Sequence, residues 1–209
     1  METIPGLREG ATQRDGGGGD FRPGDFWSLV LAAGAGSRFG GDKLRAPWGG
    51  GSLIQASIAI AKTAPAAGVF VLTRPGDALV DDPWVGVVEV ADWAEGMAAS
   101  LRAGIAALPA GAAGVFVFLG DMPRVPTGVL GPLAEAVRAG APAAAATFEG
   151  RLGHPVLFAA GLFPELMALT GDRGARGVLD RLGDRLAIVS APDDGVLFDV
   201  DRQEDLDRR

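Results

Sequence analysis

The chain contains no cysteine, no tyrosine and no asparagine, and its single histidine stands at position 154. Without cysteine there is no disulfide, no thiolate nucleophile and no Cys-ligated zinc. With one histidine, a zinc centre built on several imidazoles is excluded as well. Any metal chemistry is left to carboxylates, whose hard oxygens favour Mg2+. Lysine is scarce too, present only at positions 43 and 62, so the other basic side chains are all arginine. A formal charge of −7 provides no broad basic face, which argues against nucleic acid as a partner. No apolar run approaches the ~20 residues needed to span a bilayer, and no cationic segment followed by an apolar one opens the chain. The expectation is a cytoplasmic protein with no membrane partner.

What is present suits one folded unit. At 209 residues the chain can bury the core of one α/β domain but not of two full-sized ones. The first 25 residues carry the run Gly16-Gly17-Gly18-Gly19-Asp20 and few apolar side chains, and read as a flexible extension; the folded domain is expected over 26–209.

The stretch from Trp27 to Leu44, WSLVLAAGAGSRFGGDKL, dominates the rest. Its apolar start reads as a buried strand that empties into a loop with glycines at 34, 36, 40 and 41. Such a loop offers bare backbone N–H groups to an anion. Arg38 and Lys43 add two cations, a fork for phosphate oxygens and a mobile point charge. The spacing misses the nucleoside-triphosphatase loop, because Asp42 follows Gly41 and Lys43 comes one place late. It also misses the dinucleotide fingerprint, whose third glycine would fall at 39 rather than 40. A dinucleotide-dependent oxidoreductase is disfavoured accordingly.

Further along, Ser52 is placed to cap a helix over the apolar stretch after it. Strands are expected at 69–73, 85–90, 114–119 and 143–147, and helices after Gly96 and over 126–139. Alternating strands and helices predict a mostly parallel sheet covered on both faces, with ligands beyond the carboxyl ends of its strands. Asp121, directly after the strongly apolar 114–119, is well placed there to hold a metal against phosphates. His154 has no nucleophilic partner in view and reads as a structural hydrogen-bonder.

The loop LAAGAGSRFGGDKL resembles the signature of nucleotidyltransferases that move a nucleoside monophosphate from a triphosphate onto a phosphorylated acceptor, and within them most resembles the molybdenum cofactor cytidylyltransferases. The resemblance recurs at Glu95-Gly96-Met97, where Ala98 replaces an expected glycine, and at Gly120-Asp121-Met122-Pro123, where Met122 replaces glutamine. It returns at Gly153-His154-Pro155, at Gly171 to Arg176, and at Phe198 to Leu206, where Arg202-Gln203 replaces Thr-Pro. It implies a single-domain, Rossmann-like three-layer α/β/α fold of the nucleotide-diphospho-sugar transferase type. Arg38, Lys43 and Asp121 would be catalytic. Leu31, Ala32, Ala33, Gly34, Gly36, Ser37, Gly96 and Ser100 would join them in holding the nucleotide, with Ala33 the cytidylyltransferase-like choice where guanylyltransferases have glycine. Gly153, His154, Pro155 and Arg176 would line the acceptor, and Asp121 and Asp201, with Asp199 as neighbour or substitute, would bind Mg2+.

The implied substrates are CTP, or another NTP, and a phosphorylated small molecule, molybdopterin or its molybdenum-bearing form. A molybdoenzyme or its maturation chaperone would be the protein partner. The alternatives are a guanylyl- or cytidylyltransferase acting on a sugar phosphate or methylerythritol phosphate, and a non-catalytic cofactor carrier.

Overall fold

The apolar run after residue 25 forms β1 (Phe26–Leu31), an interior strand of the sheet with a parallel neighbour on each side. Phe26 to Val30 are all buried, the signature of a strand covered on both faces. The computed structural model describes residues 25–34, 36 and 38–208, so all but the last residue of the expected extension, and Ser37, lie outside the described residues.

A short hairpin, β2 (Pro47–Trp48) with β3 (Gly51–Ser52), leads into α1 (Leu53–Ala61). Ser52 caps α1 as its sequence predicts: its hydroxyl accepts from the Gln55 N–H, and the Gln55 side chain accepts from the Ser52 N–H in return. The chain continues through β4 (Val69–Thr73), β5 (Val85–Glu89), α2 (Met97–Ala106), β6 (Gly114–Leu119), α3 (Leu130–Arg138), β7 (Ala143–Phe148) and β8 (Arg151–Ala159). It then runs through α4 (Phe163–Met167), α5 (Arg176–Leu182) and β9 (Leu186–Ser190). The helix expected from 126 starts later, after a single 3-10 turn at Thr127–Val129. Pro132 falls in the first turn of α3, where a missing N–H costs nothing.

Seven strands form one sheet in the order β5-β4-β1-β6-β8-β7-β9, and only β8 runs against the others. Side chains alternate between two layers. Phe26, Val30, Val71, Phe116 and Phe118 pack with α1 and α3, while Trp27, Leu29, Phe70, Leu72 and Val117 pack with α2, α4 and α5. The fold is thus a three-layer α/β/α domain with a mostly parallel sheet, as expected.

β8 was not legible as a strand. It leaves β7 through a tight turn in which Glu149 and Gly150 both have positive φ, the backbone of a type I′ hairpin. Its pairing with β6 is recorded from Ala159 back to Val156 and stops short of Pro155, which has no N–H to give. Its register with β7 shifts over the same residues, Ala145 facing Val156 and Thr147 facing Leu152. This irregularity lifts Gly153, His154 and Pro155 out of a regular ladder at the carboxyl edge of β6 and β7, the edge at which the glycine loop also lies.

Candidate active site

The chain leaving β1 is held to the neighbouring strands before it turns. The Ala32 N–H donates to the Leu72 carbonyl at 2.9 Å, and the Gly120 N–H donates to the Leu31 carbonyl at 2.9 Å. Gly36 has φ +58°, a left-handed position that favours glycine, and its carbonyl accepts from the Phe39 N–H. Phe39 then enters a small apolar cluster with Ala46, Trp48, Leu53, Phe198 and Val200. The loop is therefore pinned to the C-terminal segment by burial.

That cluster explains how residues 121 and 201 meet. The Val200 N–H donates to the Asp121 carbonyl at 3.0 Å, so the two carboxylates project from adjoining backbone. Lys43 lies between them, its Nζ 2.7 Å from Asp121 Oδ2 and 3.4 Å from Asp201 Oδ1, while Arg38 reaches Asp201 Oδ2 at 2.9 Å. The Arg38 side chain is 75% exposed, and an ion pair that open contributes roughly 0–1 kcal/mol. Burying Phe198 and Val200 is worth about 1.5–3 kcal/mol each. Packing, not charge, sets the position of Asp201.

A cavity of about 710 Å3 opens over this cluster. Of the residues expected to hold nucleotide, Leu31, Ala32, Gly34, Gly36, Arg38, Lys43 and Asp121 line it, together with Asp201. Ala33, Ser100 and Gly96 lie outside its lining, the first two buried. Gly96 has φ +114°, and a Cβ there would come within 2.8 Å of the Asp172 Cα, so this glycine seats the 171–176 segment against the start of α2.

Sequence reasoning missed one wall altogether, Arg74 to Asp77. These residues follow β4 at the same carboxyl edge, and a basic residue in that place was the available signal. Asp42 and Asp77 also line the cavity, and both ion-pair with Arg45, at 3.2 Å in the case of Asp77.

The residues expected to line an acceptor lie elsewhere. A second, mostly apolar cavity of about 180 Å3 is lined by Gly153, His154 and Arg176 together with Met97, Leu101, Val117, Leu152 and Arg173. Pro155 is not in its lining, and the peptide bond before it is cis. A Cβ on Gly153 would lie 2.0 Å from the Val196 carbonyl oxygen, so only glycine fits where that backbone passes. His154 Nδ1 is 3.3 Å from the Val117 carbonyl. A carbonyl can only accept, so Nδ1 carries the proton. Burial pushes the His154 pKa down, against the opposing pull of that hydrogen bond and of Asp121 nearby. The neutral ring is the form the fold favours.

Negative charge is crowded around Lys43. Burial raises the Asp199 pKa, and the neighbouring Asp201 and Asp121 raise it further, with Lys43 opposing them. Among the described residues no group of three or more histidine or carboxylate side chains is arranged to enclose a metal. Asp121 and Asp201, both on Lys43, are the carboxylates at the centre of the site, with Asp199 close by. That suits Mg2+ completed by substrate phosphates, its usual habit, and does not suit a closed structural metal site.

The comparisons with known proteins agree with this architecture. A profile of the MobA-like NTP transferase domain matches residues 28–186. The purine catabolism protein PucB of Bacillus subtilis (strain 168) is 30% identical over 195 residues, 86% of this chain and 93% of that protein. The crystal structure of Rv0371c from Mycobacterium tuberculosis H37Rv superposes with a TM-score of 0.79 at 26% identity, covering 90% of this chain and 98% of that one. A nucleotidyl transferase from Methanothermobacter thermautotroptrophicus follows with a TM-score of 0.74 at 25% identity, covering 88% and 95%. With a glycine loop, two cations and two carboxylates at one sheet edge, and a domain match across most of its length, this chain belongs to the MobA-like NTP transferase family of nucleotidyltransferases.

Proposed function

We propose that this nucleotidyltransferase moves CMP from CTP to the phosphate of molybdopterin, in its free or molybdenum-bearing form, and releases pyrophosphate in the cytoplasm. The observation that carries the reading is the cluster of Lys43, Arg38, Asp121 and Asp201 beneath a cavity large enough for a nucleotide. The buried alanine at position 33 supports the choice of CTP, because glycine is the guanylyltransferase-like residue there. The apolar wall around His154, with Arg173 and Arg176 at its rim, supports an acceptor that joins a flat organic body to an anion.

The chemistry needs little from the chain beyond placement and charge. A phosphate monoester with a second pKa of about 6 is already an anionic nucleophile at neutral pH, so no general base is required. One of its oxygens forms a bond to the α-phosphorus of CTP as the bond to the β,γ-pyrophosphate breaks, and the electron pair leaves with pyrophosphate. Backbone N–H groups of the glycine loop orient the triphosphate. Lys43 and Arg38 exchange carboxylate partners for phosphate oxygens and neutralise charge that grows on the leaving group. Asp121 and Asp201 would hold Mg2+, which supplies further neutralisation at the phosphates. His154, neutral and donating to Val117, shapes the acceptor wall and takes no proton in the reaction.

A pyrophosphate-release screen of the four ribonucleoside triphosphates against molybdopterin, sugar phosphates and methylerythritol phosphate tests the reading. CTP with molybdopterin is expected to give the fastest release. Faster release with another pair reassigns the substrates, and binding without release from any pair would favour a carrier. A molybdoenzyme or its maturation chaperone is the proposed recipient of the product.

A further inference from the structure

Among the described residues three cations line the large cavity, and they are not equivalent. Lys43 and Arg38 spend their charge on Asp121 and Asp201. Arg74 has no carboxylate partner recorded among the described residues; it is held by two carbonyls and one aromatic face. Its Nε donates to the Ala33 carbonyl at 3.1 Å, its terminal nitrogen donates to the Gly34 carbonyl, and its guanidinium carbon lies 4.7 Å from the centre of the Trp93 ring. These contacts use the planar fork and the flat face of the side chain at once.

Both attachment points matter for a nucleotide. Ala33 and Gly34 are among the residues expected to hold the nucleotide, and their carbonyl oxygens would repel a polyanion if left bare. Trp93 opens the short turn whose end is Gly96, and the Gly96 N–H donates to the Trp93 carbonyl at 3.2 Å. Arg74 therefore ties the turn after β1 to the segment entering α2, across the place where a base has to fit.

We infer that Arg74 is a specificity-determining positioning residue, a clamp that fixes the width of the base site and masks two carbonyl oxygens beside the triphosphate. The inference rests on the reading under Proposed function, that the large cavity takes CTP beside Ala33. Lysine cannot replace it, because an ammonium has neither the fork for two carbonyls nor the plane for Trp93.

The test is equilibrium binding of each of the four triphosphates with Mg2+ to the full chain, together with KM and kcat, for Arg74→Ala, Arg74→Lys and Trp93→Leu. Arg74→Ala is expected to weaken CTP binding about tenfold, because two carbonyl oxygens are then unmasked beside the triphosphate and the turn they belong to is released. It should raise KM by more than it lowers kcat and flatten the preference among triphosphates. Arg74→Lys should not rescue either property. CTP affinity and preference within twofold of wild type in Arg74→Ala would overturn the inference, and so would full rescue by lysine. If Arg74→Ala shows no cooperative melt, Trp93→Leu, which keeps the carbonyl bonds, decides the matter: a smaller change in the same direction supports the clamp, and no change overturns it. Equal binding of all four triphosphates by wild type would refute the choice of CTP and the specificity role of Arg74 together, and the loss of affinity in Arg74→Ala would then judge the positioning role by itself.

Discussion

The two halves of the sheet meet at β6 and are built by different means. From β5 to β6 every neighbour is parallel, and the loops leaving β1, β4 and β6 deliver glycines, cations and a carboxylate to one edge. From β6 to β9 the antiparallel β8 breaks the pattern, bringing a glycine, an imidazole and a proline to the same edge from the opposite direction. The first half makes a large polar cavity in which Lys43 and Arg38 are paired with carboxylates and Arg74 is held by carbonyls. The second makes a smaller apolar one. On the proposed reading, one sheet edge separates recognition of a polyanion, which depends on charge, from recognition of an acceptor body, which depends on shape.

The sharpest way to break the first half is to remove its carboxylate. Asp121→Ala is expected to cut turnover at least about 100-fold, because charge stabilisation at transferring phosphate is usually the largest single contribution to such a reaction. Circular dichroism and melting should show an intact fold, since the Asp121 carbonyl still accepts from Val200. Full activity in a folded variant would remove Asp121 from the reaction.

Lys43→Met should cost less, and at least about tenfold in kcat/KM, which is about 1.4 kcal/mol. Its side chain is only 10% exposed, and its ammonium lies between two carboxylates. Losing it also leaves those two negative charges facing each other, so metal-free stability should fall too. A rate loss under tenfold would be too small for a cation that meets the triphosphate.

These residues were legible in the sequence to different degrees, and the reasons are physical. Arg38 and Lys43 share a loop with the glycines, and Asp121 follows a strand buried along its length, so local pattern sufficed. That Asp201 joins them depends on Phe198 and Val200 burying against Phe39 and Trp48, a tertiary contact that no local spacing encodes. β7 could be read as a strand although Ala143 to Ala146 are good helix formers, because a run of four is too short for a helix, and every one of them is buried between two layers. β8 escaped because Gly153 and Pro155 are residues that normally end strands, and here they mark the irregular stretch that presents His154. Arg74 escaped because Thr73-Arg74-Pro75-Gly76 has the composition of an ordinary turn.

The apolar half carries its own titration. The folded state holds the His154 pKa below its ordinary value, so between that lowered pKa and about 6.5 the unfolded chain binds more protons than the folded one. Stability conferred by the neutral ring is fully present above about pH 6.5 and is lost as pH falls below it, at no more than about 1.4 kcal/mol per pH unit. His154→Gln should remove that part of the acid slope in urea melts between pH 7 and 5 while leaving the triphosphate KM unchanged. An identical slope in the variant would mean that the imidazole titrates as it does in the unfolded chain.

The smallest effect expected lies at the boundary between the halves, in the choice of base. Ala33 is 2% exposed and packs in the α2-side core, so its methyl restrains the turn from behind and does not project into the cavity. A pyrimidine site held at that width leaves a purine's polar groups unpaired, at about 1–3 kcal/mol each. CTP should therefore exceed GTP at least about tenfold in kcat/KM, a ratio at the low end of that range. Ala33→Gly removes one methyl from a packed position, and because the wall can relax only partly the gap should narrow by about threefold without closing. Competition between the two triphosphates on wild type and variant measures both ratios in one tube. Equal use of GTP by the wild type would overturn the width of the base site as its basis of selection, leaving nucleotidyl transfer itself untouched.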